Sequence, residues 1–369
     1  MKSSRRSPPP LPEYHLPPRQ VQHTRPPHHP ARRNPPLGLV IALDIVLLGL
    51  GLIIFALFHH VLPRDTGNTG QVLPGSTTTV SSLSTTSTIV TSPSGSTTGE
   101  SSTPATETTA AVTTATTARG AWGARFADKF TDGGIEQTES SYRSSNISIV
   151  IEKVQANEIT YYLADIYLRD IQYFRTAFAG GSYAPGRTAE VLDMAVENNA
   201  ILAITGDYYG IRDSGIVIRN GVLYRESLFA DVLVMNNDGS METFAPSEFD
   251  VAAVKANGAW QAWSFGPMLL DGGQPMTTFN SNVTGPNPRS AIGYYEPGHY
   301  CFLVVDGRQP GYSVGMSMKQ MSQLFYDLGC QAAYNLDGGQ SATMTFSDGI
   351  ADQPYKGGRQ VSDIVYIGE

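Results

Sequence analysis

Ala333-Tyr334-Asn335-Leu336-Asp337-Gly338-Gly339-Gln340-Ser341-Ala342-Thr343-Met344 leads from a short apolar run into a polar, glycine-bearing turn. The run reads as a buried strand in which Asn335 and Asp337 occupy alternate positions. An aspartate at a strand end, followed by glycines that admit another group to the backbone, fits a site. The same residues fit a tight Asp-Gly turn between two strands. Immediately upstream, Ser317 and Gln320 form a capping box and Met321, Leu324, Phe325 and Leu328 line one helical face. Gly329 stops the helix. A helix therefore delivers the chain to a strand over 332–336.

Working outward, residues 145–154 and 158–168 alternate apolar and polar, which predicts an antiparallel hairpin. Val191, Leu192, Ala195 and Val196 share a helical stripe within 188–199, and a buried strand over 200–205 runs into Gly206-Asp207-Tyr208-Tyr209. Asn220-Gly221 marks a type I′ hairpin, and a second hairpin turns at Asn237-Asp238-Gly239. A short helix is expected over 249–256. A third hairpin joins 291–295 to 299–305 and leads into Asp306-Gly307-Arg308; a strand over 361–367 closes the chain. Hairpins mixed with strand-helix-strand units indicate an α+β fold with a mixed, largely antiparallel sheet and flanking helices.

This folded region spans 121–369, roughly 250 residues and enough for one well-filled core. Three different polymers precede it. Residues 1–36 are rich in Pro and Arg and too poor in apolar side chains to bury a core, so a disordered tail is expected. Residues 37–58 are apolar except for Asp44, long enough for one transmembrane helix across roughly 30 Å of hydrocarbon. The long preceding segment, and the lack of a small-x-small site after the run, argue against a cleaved signal peptide. Lys2, Arg5, Arg6, Arg19, Arg25, Arg32 and Arg33 precede the run, whereas Arg64 alone follows it before Arg119. That asymmetry predicts a single-pass cell-membrane anchor with a cytoplasmic amino terminus and an extracellular folded domain. Residues 59–120, rich in Ser and Thr, read as a disordered linker with a coil reach of roughly 40 Å.

The available chemistry is narrowed by elimination. Of seven histidines only His299 lies in the folded region, which leaves little for a Ser-His-Asp arrangement or for zinc. No phosphate-binding loop or dinucleotide fingerprint occurs, and a net charge of -8 offers no basic stripe for nucleic acid. Carboxylates and arginines remain. Asp207, Asp271, Asp306 and Asp337 each stand at the exit of an apolar run beside a glycine, with Arg289 and Arg308 near strands, which points to a shared cleft. Carboxylates serve as acid, base or nucleophile at an anomeric carbon, and guanidinium forks match phosphate oxygens.

Asn335 to Met344 resembles the signature of the phosphodiester glycosidase family, which includes an enzyme that removes N-acetylglucosamine from a phosphodiester and many bacterial proteins labelled exopolysaccharide-related. Three further blocks agree in order: Gly206-Asp207-Tyr208-Tyr209 with Asn220-Gly221; Ser264-Phe265-Gly266-Pro267; and Pro288-Arg289-Ser290-Ala291-Ile292-Gly293 leading to Val304-Val305-Asp306-Gly307-Arg308. The chain departs from the pattern at Thr205, at Gln340 in place of a third glycine, and at Asp363 in place of an asparagine. The resemblance implies a hydrolase cleaving a cell-surface or exopolysaccharide phosphodiester glycan at the sugar side. It implies Asp337, Asp207, Arg289 and Asp306 as catalytic residues, with Arg289 and Arg308 on the phosphate. Asn335, Arg308, Gly338, Gly339, Ser341, Thr343, Tyr208 and Gly266 would bind substrate. No cofactor is implied, although oxygen ligands leave Ca²⁺ or Mg²⁺ and a metal-assisted phosphodiesterase open. A glycan-binding surface domain using Tyr208, Tyr209, Trp260 and Trp263 also stays open. Cys301 and Cys330 fit either one disulfide or two buried thiols.

Overall fold

A computed structural model describes residues 70–75 and 122–369. The expected tail, the expected transmembrane helix and most of the expected linker lie outside the described residues, among which no helix is long and apolar enough to cross a membrane.

The fold is α+β and dominated by three sheets. The first runs, in spatial order, through Ala332–Asn335, Arg289–Glu296, His299–Val305, Ile159–Leu168, Ile147–Ala156, Ser141–Arg143 and Glu136–Gln137. The second contains Gly349–Ile350, Met344–Phe346, Leu202–Thr205, Asp363–Ile367 and Phe174–Phe178; the third contains Gln71–Val72, Val222–Arg225, Val217–Arg219, Ala259–Trp263, Val232–Asn236 and Met241–Phe244. All the predicted hairpins form. Asn220 and Gly221, at φ 52° and 77°, make the left-handed turn that their sequence requires.

Among the described residues the strand pairings are antiparallel rather than mixed. The strand-helix-strand unit explains the difference. His299–Val305 and Ala332–Asn335 both pair with Arg289–Glu296, on opposite sides of it. The helix Met318–Asp327 therefore carries the chain over an intervening strand, and the two strands that it connects never bond to each other. Its capping box forms as expected, with Gln320 N donating to Ser317 Oγ and Ser317 N to Gln320 Oε1.

This arrangement buries both faces of the first sheet. Ile292, Phe302, Val304, Tyr334 and Leu336 join Leu202, Ile204, Met344 and Val365 of the second sheet and Leu233, Met235 and Trp263 of the third in one apolar cluster. Ala291, Cys301, Leu303, Val305 and Ala333 face the other way, onto Met318, Met321 and Phe325 of the helix. Two-sided burial is why residues 300–305 are apolar without alternation.

The linker assignment needs one correction. Gln71 and Val72 pair with Leu223 and Val222, Leu73 N donates to the Gly221 carbonyl at 2.9 Å, and Asn237 Nδ2 donates to the Pro74 carbonyl at 3.1 Å. Leu73 is 2% exposed and packs with Ile216, Ile218, Val232 and Val254. A Val-Leu-Pro island amid Ser and Thr is invisible to an average over the whole segment, yet one buried leucine and a free sheet edge suffice to dock it.

Candidate active site

The turn after Ala332–Asn335 lies where the first two sheets meet. Asp337 N donates to the Gly206 carbonyl at 3.1 Å, and Gly206 N donates to the Asp363 carbonyl at 2.9 Å. Gly339 N binds the Pro288 carbonyl at 2.9 Å, and a Cβ on Gly338 would lie 2.7 Å from that same oxygen. No side chain fits at 338, so the glycine there is a packing requirement as well as a turn former.

Asp337 is buried at 5% exposure. Its Oδ2 accepts from Arg359 Nη2 at 3.1 Å, and Arg359 Nε donates to Ser341 Oγ. The Arg359 guanidinium stands 4.8 Å from the ring centre of Tyr208, whose backbone is left-handed at φ 52°. Burial raises the pKa of the Asp337 carboxyl, while hydrogen bonding from Ser341 and the charge of Arg359 draw it partly back. A carboxyl of raised proton affinity, touched by a half-exposed guanidinium, has the chemistry of an acid or base at a reacting centre.

Arg308 stands on the other side of the turn. Its Nη2 lies 3.3 Å from where a Gly339 Cβ would be, and its Nε and Nη2 donate to Asn287 Oδ1 at 3.1 and 2.9 Å. Arg289, read as a phosphate ligand, spends its Nε on the Met316 carbonyl and its Nη2 on the Val283 and Gly285 carbonyls. Its pKa is lowered to about 10 by burial and by the charge of Arg308, and no carboxylate offsets either effect. Arg289 thus holds the 283–287 loop that presents Asn287, and it adds positive potential beneath Arg308.

Asp207 takes a different place from the one expected of it. It is fully buried, with Oδ2 accepting from Arg219 Nη2 at 3.0 Å and from Ser264 N at 3.3 Å, while Oδ1 has no partner. Arg219 also bonds Asp363 Oδ2 through Nε at 3.0 Å and Nη2 at 2.9 Å, and Asp363 Oδ1 accepts from Asp207 N at 3.0 Å. Burial raises Asp363 to a pKa of about 6, against the opposing charge of Arg219 and with reinforcement from Asp207. This Asp-Arg-Asp cluster supports Gly206, where a Cβ would meet Asp363 Oδ1 at 2.3 Å. It acts on Asp337 through the backbone rather than by facing the cleft.

Asp306 is likewise buried. Its carboxylate accepts from Tyr312 Oη at 2.7 Å and from Gln353 N at 3.1 and 3.3 Å, and burial raises its pKa. It anchors the segment 351–359, which is also tied by Gln340 Nε2 to the Gly358 carbonyl at 2.8 Å. Burial raises Asp352, in that segment, well above the usual carboxylate range. Asp271 is exposed on the small Leu270–Asp271/Gln274–Pro275 ribbon and does not join the other three, so the four-aspartate cleft reduces to Asp337 with two buried supports.

Residues 198–368 match the family model for phosphodiester glycosidases. Over those residues, under half of the chain, it is similar to the phosphodiester glycosidase family. The folded region shares its fold with the catalytic domain of zebrafish N-acetylglucosamine-1-phosphodiester alpha-N-acetylglucosaminidase, in a structure described as auto-inhibited by its pro-peptide. The identity is 20% and the TM-score 0.50, covering 60% of this chain and 83% of that one. It is also 33% identical over 165 residues to the SPbeta prophage-derived uncharacterized protein YomE of Bacillus subtilis, covering 41% of this chain. The chain spans 25% of that relative's length.

Within this region, the expected substrate ligands divide. Tyr208, Arg308, Gly338 and Gly339 lie at the turn; Asn335 is buried with Nδ2 on the Gly266 carbonyl, Thr343 is buried, and Ser341 is buried with its Oγ accepting from Arg359 Nε. Of the four aromatics considered as a sugar platform, Tyr209, Trp260 and Trp263 are core residues, which leaves Tyr208. Among the described residues no three His, Cys, Asp or Glu side chains are grouped to hold a metal ion. Cys301 and Cys330 are buried free thiols 4.0 Å apart. Arg359 escaped the sequence reading because it stands in a polar stretch, although the preceding Gly357-Gly358 marks a turn of the same kind as Gly338-Gly339.

Proposed function

We propose that this chain is a membrane-anchored hydrolase that cleaves a glycosyl phosphodiester at the sugar side, adding water to release a free sugar and a phosphomonoester. The observation that carries the reading is Asp337, a buried carboxyl of raised proton affinity in contact with Arg359 and flanked across two glycines by Arg308. Asp337 would act at the anomeric carbon. Arg308 and Arg359 would hold the phosphate as it leaves, with charge stabilisation supplying most of the rate because phosphate departs readily. The cationic segment before the apolar run at 37–58 supports an extracellular domain acting on cell-surface or exopolysaccharide glycans.

Full-length protein should therefore release reducing sugar and phosphomonoester from a panel of sugar 1-phosphodiesters, beginning with N-acetylglucosamine, the sugar named for the zebrafish enzyme. Asp337→Asn should cut turnover by about 10²- to 10⁴-fold without changing the thermal melt. Near-full activity of that variant would remove Asp337 from the chemistry. Glycan binding without release of either product would replace the hydrolase with a binding domain.

A further inference from the structure

The positive charge around the glycine turn exceeds what one scissile phosphate needs. Arg308 and Lys356 both place their cations over the Tyr355 ring, at 5.6 and 5.4 Å from its centre. Both have left-handed backbone, at φ 57° and 54°, and with Tyr208 they make three of the eight described non-glycine residues in that conformation. Such backbone is costly and is retained where the surrounding structure has a use for the side-chain direction it gives.

The carboxylates of this region do not cancel the charge. Asp337 is taken by Arg359, Asp306 by Tyr312 and Gln353, and Asp352 is raised well above the usual carboxylate range by burial. No carboxylate comes within ion-pair distance of Arg308 or Lys356 among the described residues. Arg308 is instead aimed by Asn287 Oδ1, a neutral acceptor that fixes the guanidinium and leaves its charge intact. An aromatic face likewise holds cations without neutralising them. Two like charges gathered on one ring, in a chain of net charge -8, fit an anionic ligand.

We propose that Lys356 and Tyr355, beside Arg308, form a second anion subsite, which takes a further phosphate on the leaving-group side of the substrate. Resting on the hydrolase reading above, this makes the substrate class a glycan with repeated phosphodiesters, rather than a sugar on a single one.

Binding and turnover test the two readings separately. By calorimetry, full-length protein should bind glycerol 1,3-bisphosphate about fivefold to tenfold more tightly than glycerol 1-phosphate. Lys356→Gln should erase that difference and leave the monophosphate affinity unchanged, while Lys319→Gln, a helix-surface control for net charge alone, should preserve it. Equal affinities in the wild type, or equal weakening of both ligands by Lys356→Gln, would overturn the subsite. In turnover, the N-acetylglucosamine phosphodiester of glycerol phosphate should exceed that of glycerol in kcat/KM by the same factor, lost in Lys356→Gln through KM alone. Cleavage of both with equal kcat/KM would refute the subsite and keep the hydrolase. A bisphosphate preference in binding with neither phosphodiester cleaved would keep the subsite and refute the hydrolase.

Discussion

Replacing Arg359 by Gln separates two roles that its position combines. The guanidinium touches Asp337 Oδ2 at 3.1 Å and favours the ionised carboxylate. Removing it must raise the Asp337 pKa beyond the rise that burial already causes. Two unit charges at about 4 Å interact by about 4 kcal/mol at an effective dielectric constant of about 20. The Arg359 side chain is 40% exposed, so solvent screening cuts this to about 1 to 2 kcal/mol, about one pKa unit. On the proposed reading the variant also loses a charge on the departing phosphate, which should lower activity by about 10²- to 10³-fold at every pH.

The assay is the pH dependence of kcat/KM for wild type and Arg359→Gln. If Asp337 works as a base or nucleophile, its active form is ionised, activity rises with pH through its pKa, and the rising limb moves up by about one unit. If it works as an acid, its active form is protonated, and the falling limb moves up instead. The limb that moves assigns the role. Both limbs staying within about 0.3 units while activity falls, with the melt unchanged, would show that Arg359 does not act on the titrating group and would refute the coupling.

Three further outcomes follow from the buried groups. Arg219→Leu strands Asp207 and Asp363 without a counter-charge and should cost about 3 to 5 kcal/mol, a drop of ten degrees or so in the thermal melt; a change under about 2 °C would contradict the cluster. Asp363 binds its proton more tightly folded, at a pKa of about 6, than unfolded, near 4. Its contribution to stability is therefore present below about pH 4 and lost as pH rises through about 6, and Asp363→Asn should flatten the stability profile over that interval, which chemical denaturation at stepped pH would detect. Leu73→Asp should release residues 70–75 from the third sheet, so that hydrogen exchange quickens along Val222–Arg225; unchanged protection would mean that the docked strand contributes nothing there.

Local rules made much of the fold legible. Asn220-Gly221 can only turn one way, Ser317 and Gln320 cap as their spacing demands, and the unalternating run at 300–305 announces burial on both faces. Sheet composition was not legible, because a helical crossover leads equally to a neighbouring strand or over one. The passage of Met318–Asp327 across Arg289–Glu296 is decided by the side-chain surfaces of three distant segments. Gln71–Val72 was lost for the opposite reason, since a two-residue pairing has no periodicity to read.

The site divides along the same line. Asp337 could be found because its turn is local, whereas the fate of each other charge depends on which partner arrives from far along the chain. Asp207 and Asp363 are 156 positions apart, and Arg219 joins the two, turning Asp207 from a candidate catalytic residue into a support for Gly206. Arg289 loses its expected place in the same way, and Arg359, absent from the sequence reading, gains one. Burial puts Arg289 among the carbonyls of Val283, Gly285 and Met316, and the turn at Gly357-Gly358 brings Arg359 onto Asp337. An aspartate or arginine at a strand end is thus free to be a reactant only when the fold has not locked it among fully buried partners, as it does Asp207 with Arg219 but not Asp337 with the half-exposed Arg359. By that criterion the cleft is built on Asp337, Arg308 and Arg359, and on the proposed hydrolase reading its reactivity would be governed by how far burial at Asp337 outweighs the one guanidinium in contact with it.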